Sequence, residues 1–539
     1  MAPLIVAYFG VLALLAGMGL YRLGLVISAA RYRAPRPAEP ASWPVVLVQL
    51  PLYNERFVAE RLLRQIGALD YPRTRVIVQV LDDSDDETRW VVDGGAAALR
   101  RAGWTVDVAR RADRRGFKAG ALAFGLDRHP EAELVAIFDA DFVPPVDFLR
   151  RTVPHLCADP GVGLVQARWA HLNRDGSWLT RAQAVFLDGH FGVEHAGRAR
   201  RRHFFNFNGT AGVWRRAAIV GAGGWSSDTI TEDLDLSYRA QLAGWRFVYA
   251  DDVVVPAELP AVASAFRSQQ ARWVRGSVET ARKHVGTILA RRGLGLRRRI
   301  DALVHLGNNF AYLFMAVLAG LLPLAVVARD RAGWRVFGGE ALLSRLDVAT
   351  LSLGTAAMVV FYAVGLARAR AGGPRRAVDL GFALCLGAGM SLANAAEVLR
   401  GLASRGSEFV RTPKAGDDAA ASTRAYGARG VLRRAAPEML FGVYYGAAFA
   451  YGAYFQLWGA LPFLALYLIG FAALVGGAAR EAWALRSRAV IVQRAAAREA
   501  RSGRPAARTS PLEAPVLPVS HRPSDAHTPS SAPCSRART

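Results

Sequence analysis

Four short polar signatures hold the residues of this chain whose types and spacing could do chemistry. Asp82-Asp83-Ser84-Asp85-Asp86 follows the apolar run Val76 to Leu81, and Asp139-Ala140-Asp141 follows Leu134 to Phe138. Carboxylates at the C-terminal ends of strands stand where open α/β sheets bind ligands. In that place they suit one task, holding a divalent cation against a diphosphate. Thr231-Glu232-Asp233 adds a further acid, a candidate general base. Gln269-Gln270-Ala271-Arg272-Trp273 sets a guanidinium, a phosphate clamp, beside an indole, a stacking platform. Asp-x-Asp alone is a weak signal and recurs here as Asp83-Ser84-Asp85 and Asp233-Leu234-Asp235. Only Asp139-Ala140-Asp141 caps a strand that reads as buried.

The elements that must position these residues follow from the alternation of short β-branched runs with helical stretches. Val45 to Leu50, Val76 to Leu81, Thr105 to Val108, Leu134 to Phe138 and Gly163 to Gln166 read as strands of a largely parallel sheet. Thr231 is placed to cap a helix from Glu232 to Leu242, ended by Gly244. Ala261 to His284 is amphipathic, with Phe266, Gln270, Trp273 and Ser277 on one face. It is expected to lie along a membrane surface.

In this order the signatures resemble those of processive family-2 glycosyltransferases: cellulose synthases and, closer, the cellulose-synthase-like mannan and glucan synthases. Longer runs carry the resemblance too: Gly116-Phe117-Lys118-Ala119-Gly120, Phe207-Asn208-Gly209-Thr210-Ala211-Gly212 and Ser407-Glu408-Phe409-Val410-Arg411-Thr412-Pro413-Lys414. It covers roughly residues 43–480. It implies a GT-A (Rossmann-like) α/β domain that takes a nucleotide-sugar donor, with Asp82 and Asp83 on the nucleotide. Asp139 and Asp141 would hold Mg2+ or Mn2+, and Asp233 would serve as base of an inverting transfer. Lys118, Gln269, Gln270, Arg272 and Lys414 would join Asp139 on the donor. Trp273, Glu232 and the loop Asn208, Gly209 and Thr210 would border the polysaccharide acceptor, with Gln166 and Trp169 beside them. Phe409, Thr412 and Lys414 resemble a gating loop, in which Arg411 and Pro413 depart from the cellulose synthase pattern. Cellulose synthases usually carry cysteine where Asn208 stands, so the departure points to the mannan/glucan branch. His171, His190 and His195 form no ligand set and read as structural.

The bulk numbers agree with a membrane enzyme. The 539 residues are 52% apolar and carry a net charge of +24. Such a basic balance fits a nucleic-acid binder or a membrane protein with basic edges. Many of the arginines flank apolar stretches or fall in the tail, which argues against nucleic acid. A transporter should show paired broken helices and intramembrane acids, and neither is evident. A non-processive transferase that glycosylates a membrane lipid stays open as an alternative. Of 68 basic side chains only Lys118, Lys283 and Lys414 are lysine. The skew suggests a GC-rich bacterial genome, and a compact ammonium is expected to matter at Lys118 and Lys414. Three scattered cysteines make no disulfide framework or zinc site.

The expected organisation is a span at 1–30, a Pro-rich linker at 31–44, the catalytic domain at 45–259 and amphipathic interfacial helices at 260–298. A channel region follows at 299–480, with an interfacial helix at 378–400 and the gating-like loop at 404–436, and then a basic, mostly disordered tail at 481–539. Apolar stretches at 300–327, 348–366, 439–458 and 461–478 complete five spans. Asp301, His305, Asn308 and Asn309, heading the first of these, either line a polar path or bond between helices. Arg31, Arg33 and Arg36 after the first span put the catalytic domain in the cytoplasm of a bacterial inner membrane. The lipid bilayer is thus a partner, and a periplasmic accessory subunit is possible.

Overall fold

The computed structural model describes residues 2–332, 340–370, 373–403 and 428–502. The chain falls into two compact units, Met1–Leu485 and Arg486–Thr539. Within the first, seven strands form one sheet: β1 (Val46–Leu52), β2 (Val76–Asp82), β3 (Thr105–Ala109), β4 (Leu134–Ile137), β5 (Val162–His171), β6 (Gly212–Arg215) and β7 (Arg246–Ala257). Their order is β3-β2-β1-β4-β6-β5-β7. β1 pairs parallel with β2 and β4, and β2 with β3. Crossing helices cover both faces, which is why Val76 to Leu81 is buried throughout and reads as a continuous apolar run. These helices are α2 (Arg56–Ile66), α3 (Thr88–Arg101), α4 (Phe117–Arg128) and α5 (Phe148–Ala158); α1 (Ala2–Ala30) precedes the sheet and packs on other helices.

Two polar side chains interrupt that core. Gln49 and Gln79 are fully buried, and Gln49 Nε2 donates to Gln79 Oε1 at 2.9 Å. Gln79 Nε2 donates in turn to Asp107 Oδ2 and to the carbonyl of Gly125, each at 3.0 Å. A Cβ at Gly125 would stand 2.3 Å from Gln79 Oε1, so α4 can cross here only on glycine.

β6 and β7 were not expected from the sequence. β6 is four residues long and follows Asn-Gly-Thr-Ala, which reads as a turn. It runs antiparallel to both β4 and β5, making the sheet mixed, and it returns residues 208–211 to the end of β4. Ahead of it lie α6 (Trp178–Gly189), a π-helical turn (His190–His195) and α7 (Ala196–Arg201).

After β6 come α8 (Arg216–Gly221), α9 (Glu232–Leu242) and α10 (Ala263–Ala290). α9 has the expected bounds, but Thr231 makes no side-chain cap. Its hydroxyl lies 3.1 Å from that of Thr280 on α10 instead. α11 (Leu296–Leu306) and α12 (Phe310–Ala332) are separate helices, so the apolar stretch at 300–327 is broken near Gly307. Next are α13 (Glu340–Arg368), α14 (Arg376–Gly389), α15 (Ser391–Ala403), α16 (Ala428–Arg434), α17 (Ala436–Tyr454) and α18 (Leu461–Ser502).

Among the described residues four helices are long and apolar enough to cross a membrane: Pro3–Ala30, Phe310–Arg331, Arg345–Arg368 and Leu461–Ser487. α14 and α15 form a pair bent by 48° that would make a fifth. α17, rich in Tyr, Gly and Ala, is not in that set. The tail does not begin at 481. α18 continues to Ser502, and buried Glu481 accepts from the backbone N–H of Ser264 at 3.2 Å and from its hydroxyl. Phe409, Thr412 and Lys414 lie outside the described residues.

Candidate active site

The strand ends named in the sequence open on one cavity of about 240 Å3. Asp83 follows β2, Asp139 and Asp141 follow β4, and Asp233 lies in the first turn of α9. All four line it, together with Lys118, Glu232, Gln269, Arg272 and Trp273. Burial and like charge perturb the two acids of Thr231-Glu232-Asp233. Burial, and then the charge of Glu232, pushes Asp233 up to about 7 against the partial relief of Lys118. Burial also raises Glu232. Burial works against the Lys118 ammonium, but Asp139 and Glu232 outweigh it and raise its pKa. Lys118 Nζ donates to Asp139 Oδ1 at 2.6 Å and to the carbonyl of Gly209 at 2.8 Å.

Gly209 explains how close this assembly is. Its φ is +81°, in the left-handed region, and an added Cβ would stand 3.1 Å from Asp233 Oδ2 and 3.4 Å from Lys118 Nζ. The other oxygen, Asp233 Oδ1, accepts from the N–H of Leu234 at 2.8 Å.

A second cavity of about 280 Å3 adjoins the first and shares Trp169, Asn208, Thr231, Asp233, Gln269 and Trp273 with it. A third, of about 220 Å3, runs between α1, α12, α13, α14 and α18 and shares Arg22, Asn308, Asn309 and Tyr312 with the second. Asp233 therefore sits where the first two meet, and the third continues from them among the candidate spans.

Several expected contacts are corrected. Asp82 is fully buried and absent from the cavity wall. It accepts from Arg110 Nε at 2.8 Å and from the N–H of Ser84 at 3.1 Å, so it shapes the turn after β2. Asp83 does reach the cavity, gripped by Arg111 through Nε at 3.0 Å and through Nη2. Gln166 is fully buried behind the acceptor loop. Its Nε2 donates to the carbonyls of Ala167 and Ala211, and its Oε1 accepts from the N–H of Asn208 at 3.1 Å. Thr210 is buried too, and its hydroxyl accepts from the N–H of Asp139 at 2.9 Å. Both hold the loop rather than line the site. Gln270 lines only the second cavity and Arg272 only the first, because neighbouring positions on a helix point apart. Asp301, His305, Asn308 and Asn309 meet both expectations: Asn308 Oδ1 accepts from Arg22 Nη2 at 2.8 Å and Tyr238 bonds His305 at 2.7 Å, while the last three line the second cavity.

The histidines are more than filler. His195 Nε2 faces the carbonyl of Asn206 at 3.1 Å, which can only accept, so this nitrogen carries a proton. The oxygen of Asn208, at 2.7 Å from it, must then accept as well. The Asn208 amide N–H therefore donates to His190 Nε2 at 3.0 Å, leaving the proton of His190 on Nδ1, which donates to Glu194 Oε2 at 3.0 Å. Burial, and next the proximity of His190, depresses His195 well below the usual imidazole range. Burial would raise Glu194, but the His190 hydrogen bond and the Arg198 charge hold it well below the usual carboxylate range. Asn208, which lines both cavities, is thus clamped in one rotamer. The π-helical turn brings His190, Glu194 and His195 to it, and no sequence periodicity signals such a turn. Arg22 was missed for a different reason, being a lone charge in an apolar run.

No group of three or more His, Cys, Asp or Glu able to hold a metal occurs among the described residues. Asp139 and Asp141 together still fit a hard divalent cation, which takes one or two carboxylates and completes its shell with phosphate oxygens and water.

Residues 44–276 match the family described as glycosyltransferase like family 2, and the mixed sheet they form is GT-A-like. The chain is 42% identical over 302 residues to a probable glucomannan 4-beta-mannosyltransferase 4 of Oryza sativa subsp. japonica, covering 54% of each chain. It is 46% identical over 252 residues to glucomannan 4-beta-mannosyltransferase 2 of Arabidopsis thaliana, covering 46% of this chain and 47% of that one. The chain spans about half the length of the curated relatives it matches. A mannosyltransferase from Pyrobaculum calidifontis in complex with GDP-Man and Mn2+ overlaps with a TM-score of 0.49 at 23% identity, covering 68% of this chain and 98% of that one.

Proposed function

We propose that this protein is a membrane-embedded inverting hexosyltransferase that extends a β-linked polysaccharide from a nucleotide-sugar. GDP-mannose is the favoured donor and a mannan or glucomannan the favoured product, on the strength of the relatives' names. The carrying observation is the position of Asp233 at the junction of two cavities, with Arg272 and the Asp139-Ala140-Asp141 turn on one side, Gln270 on the other and Asn208 at the junction beside it.

In this reading the diphosphate lies against Lys118 and Arg272, and the acceptor sugar stacks on Trp273 with Asn208 beside it. Asp233 takes the proton of the acceptor hydroxyl as that oxygen bonds to the anomeric carbon from the face opposite the leaving group. The anomeric carbon–oxygen bond breaks, and its electron pair leaves with the diphosphate. Mg2+ or Mn2+ held by Asp139 and Asp141 would supply positive charge to that leaving group. A base raised to about 7 suits this step, since it is both substantially ionised near neutrality and basic enough to take the proton.

The third cavity, continuous with the acceptor side and enclosed by the candidate spans, favours a growing chain that leaves through the protein over a single transfer to a lipid. A bacterial inner membrane with the catalytic domain in the cytoplasm remains the expected setting. The test is to incubate membranes with labelled GDP-mannose and, separately, UDP-glucose. A mannanase-sensitive polymer formed from GDP-mannose is expected. Label that stays in one-sugar glycolipids would refute the polymerase reading.

A further inference from the structure

We infer that the protein carries a site for the phosphate headgroup of an anionic phospholipid, on the side of the catalytic domain away from the cavities above. The inference rests on reading α1 as a membrane span, but not on the reaction the enzyme performs.

The site is a cavity of about 830 Å3 where the end of α1, the end of α7, the start of β7 and the α10–α11 connection meet. Eight arginines line it: Arg31 and Arg33, Arg200 and Arg202, Arg246, and Arg291, Arg292 and Arg298. Against them stands one carboxylate, Asp159, already paired with Arg246. The other seven have no carboxylate partner among the described residues. Converging that many guanidiniums in one concavity raises their mutual repulsion, which an anion relieves. Guanidiniums also match phosphate oxygens in geometry, and ordinary surface arginines do not gather in a hollow this way.

Apolar surface beside the arginines argues for a lipid as the source of the phosphate. Ile27 is 61% exposed on α1 and stands one turn before Arg31, on the same helix face. Leu20, 50% exposed, continues that face toward the helix start. An acyl chain lying along Leu20 and Ile27 would bring its headgroup to Arg31. Across the cavity Leu289, Leu296 and Ile300 are exposed at 53%, 68% and 52% on the two helices that flank Arg291 and Arg292, the second of which carries Arg298. Apolar side chains bracketing arginines form the pattern of a surface pressed into a bilayer interface. A free polyphosphate would have no use for them.

The experiment uses the full-length protein in neutral detergent, with phosphatidylglycerol or phosphatidylcholine added and bound lipid counted by native mass spectrometry. Phosphatidylglycerol should bind in preference. The triple substitution Arg31→Gln, Arg202→Gln and Arg292→Gln should weaken it about 100-fold, from about fivefold per arginine. The same three positions changed to lysine should keep most of the affinity, which separates lost charge from lost fold. Arg101→Gln, on α3, should leave binding unchanged. Equal binding of both lipids, or undiminished phosphatidylglycerol binding by the triple glutamine variant, overturns the site. Millimolar inorganic pyrophosphate should fail to displace the lipid. Should pyrophosphate instead bind with the same arginine dependence while no lipid is retained, the lipid assignment is overturned in favour of a soluble phosphate. Loss of polysaccharide synthesis moves none of these readouts, so the two readings fail separately.

Discussion

Replacing Asp233 with Asn should abolish transfer and at the same time make the protein more stable, with a pH dependence that identifies the cause. The folded protein raises this carboxyl from an ordinary 3.8 to about 7. At 1.36 kcal/mol for each tenfold change, that is about 4 kcal/mol by which the fold disfavours the ionised form, an order-of-magnitude figure. The sign follows from linkage. Below about pH 4 the group is neutral in both folded and unfolded chains, and Asp233 costs nothing. As pH rises the unfolded chain ionises first, and the cost grows until the folded group ionises too, near 7. Asn cannot ionise. Asp233→Asn should therefore match the wild type in thermal unfolding at pH 4 and gain stability through pH 5 and 6. It should hold the full gain at pH 8, while turnover falls by about 10²–10⁴-fold and nucleotide binding survives. The wild-type rate should show an acid limb near pH 7, and Glu232→Gln, which removes a like charge, should move that limb to lower pH. A stability difference independent of pH, or donor affinity lost together with activity, would refute Asp233 as a desolvated base.

Gly209→Ala should lose most activity, because its Cβ would press on the Asp233 carboxylate from a backbone at φ +81° that disfavours any side chain. The strain is worth about 1–2 kcal/mol, to be read from denaturant unfolding. Asp141→Asn should weaken metal-dependent donor binding by calorimetry, and full turnover of the wild type in excess chelator would sink the assignment. Asp301→Ala removes the closer of the two carboxylates paired with the buried guanidinium of Arg198, the other being Glu194 at 3.4 Å, and should cost about 3 kcal/mol. Asp301→Asn, which keeps the shape, should cost less, and equal effects of the two would point to packing rather than charge.

How far the sequence alone reaches depends on what each element must bury. Val76 to Leu81 is apolar at nearly every position because helices cover both faces of a parallel strand, so β1 to β5 and the carboxylates that end β2 and β4 could be read from composition. The start of α9 was readable for a similar reason, since a polar residue before an acid-rich first turn signals a helix N-terminus. Composition could not separate residues that line the site from those that stand behind it. Asp82 and Asp83 are neighbours of one type, yet a strand turns successive side chains to opposite sides, and only Asp83 reaches the cavity. Gln166 and Thr210 carry polar groups that suit a sugar, but β6 returns the loop across β4 and β5 and turns both inward to hold its backbone. The clamp on Asn208 needed a π-helical turn, β5 and the loop before β6 to meet. The basic hollow needed four segments, spread from residue 31 to residue 298, to converge. Local pattern records the face an element buries, because burial selects residue type position by position. What a side chain meets at the end of its reach depends on segments far away in the chain, and those are brought together only when the sheet and helices close.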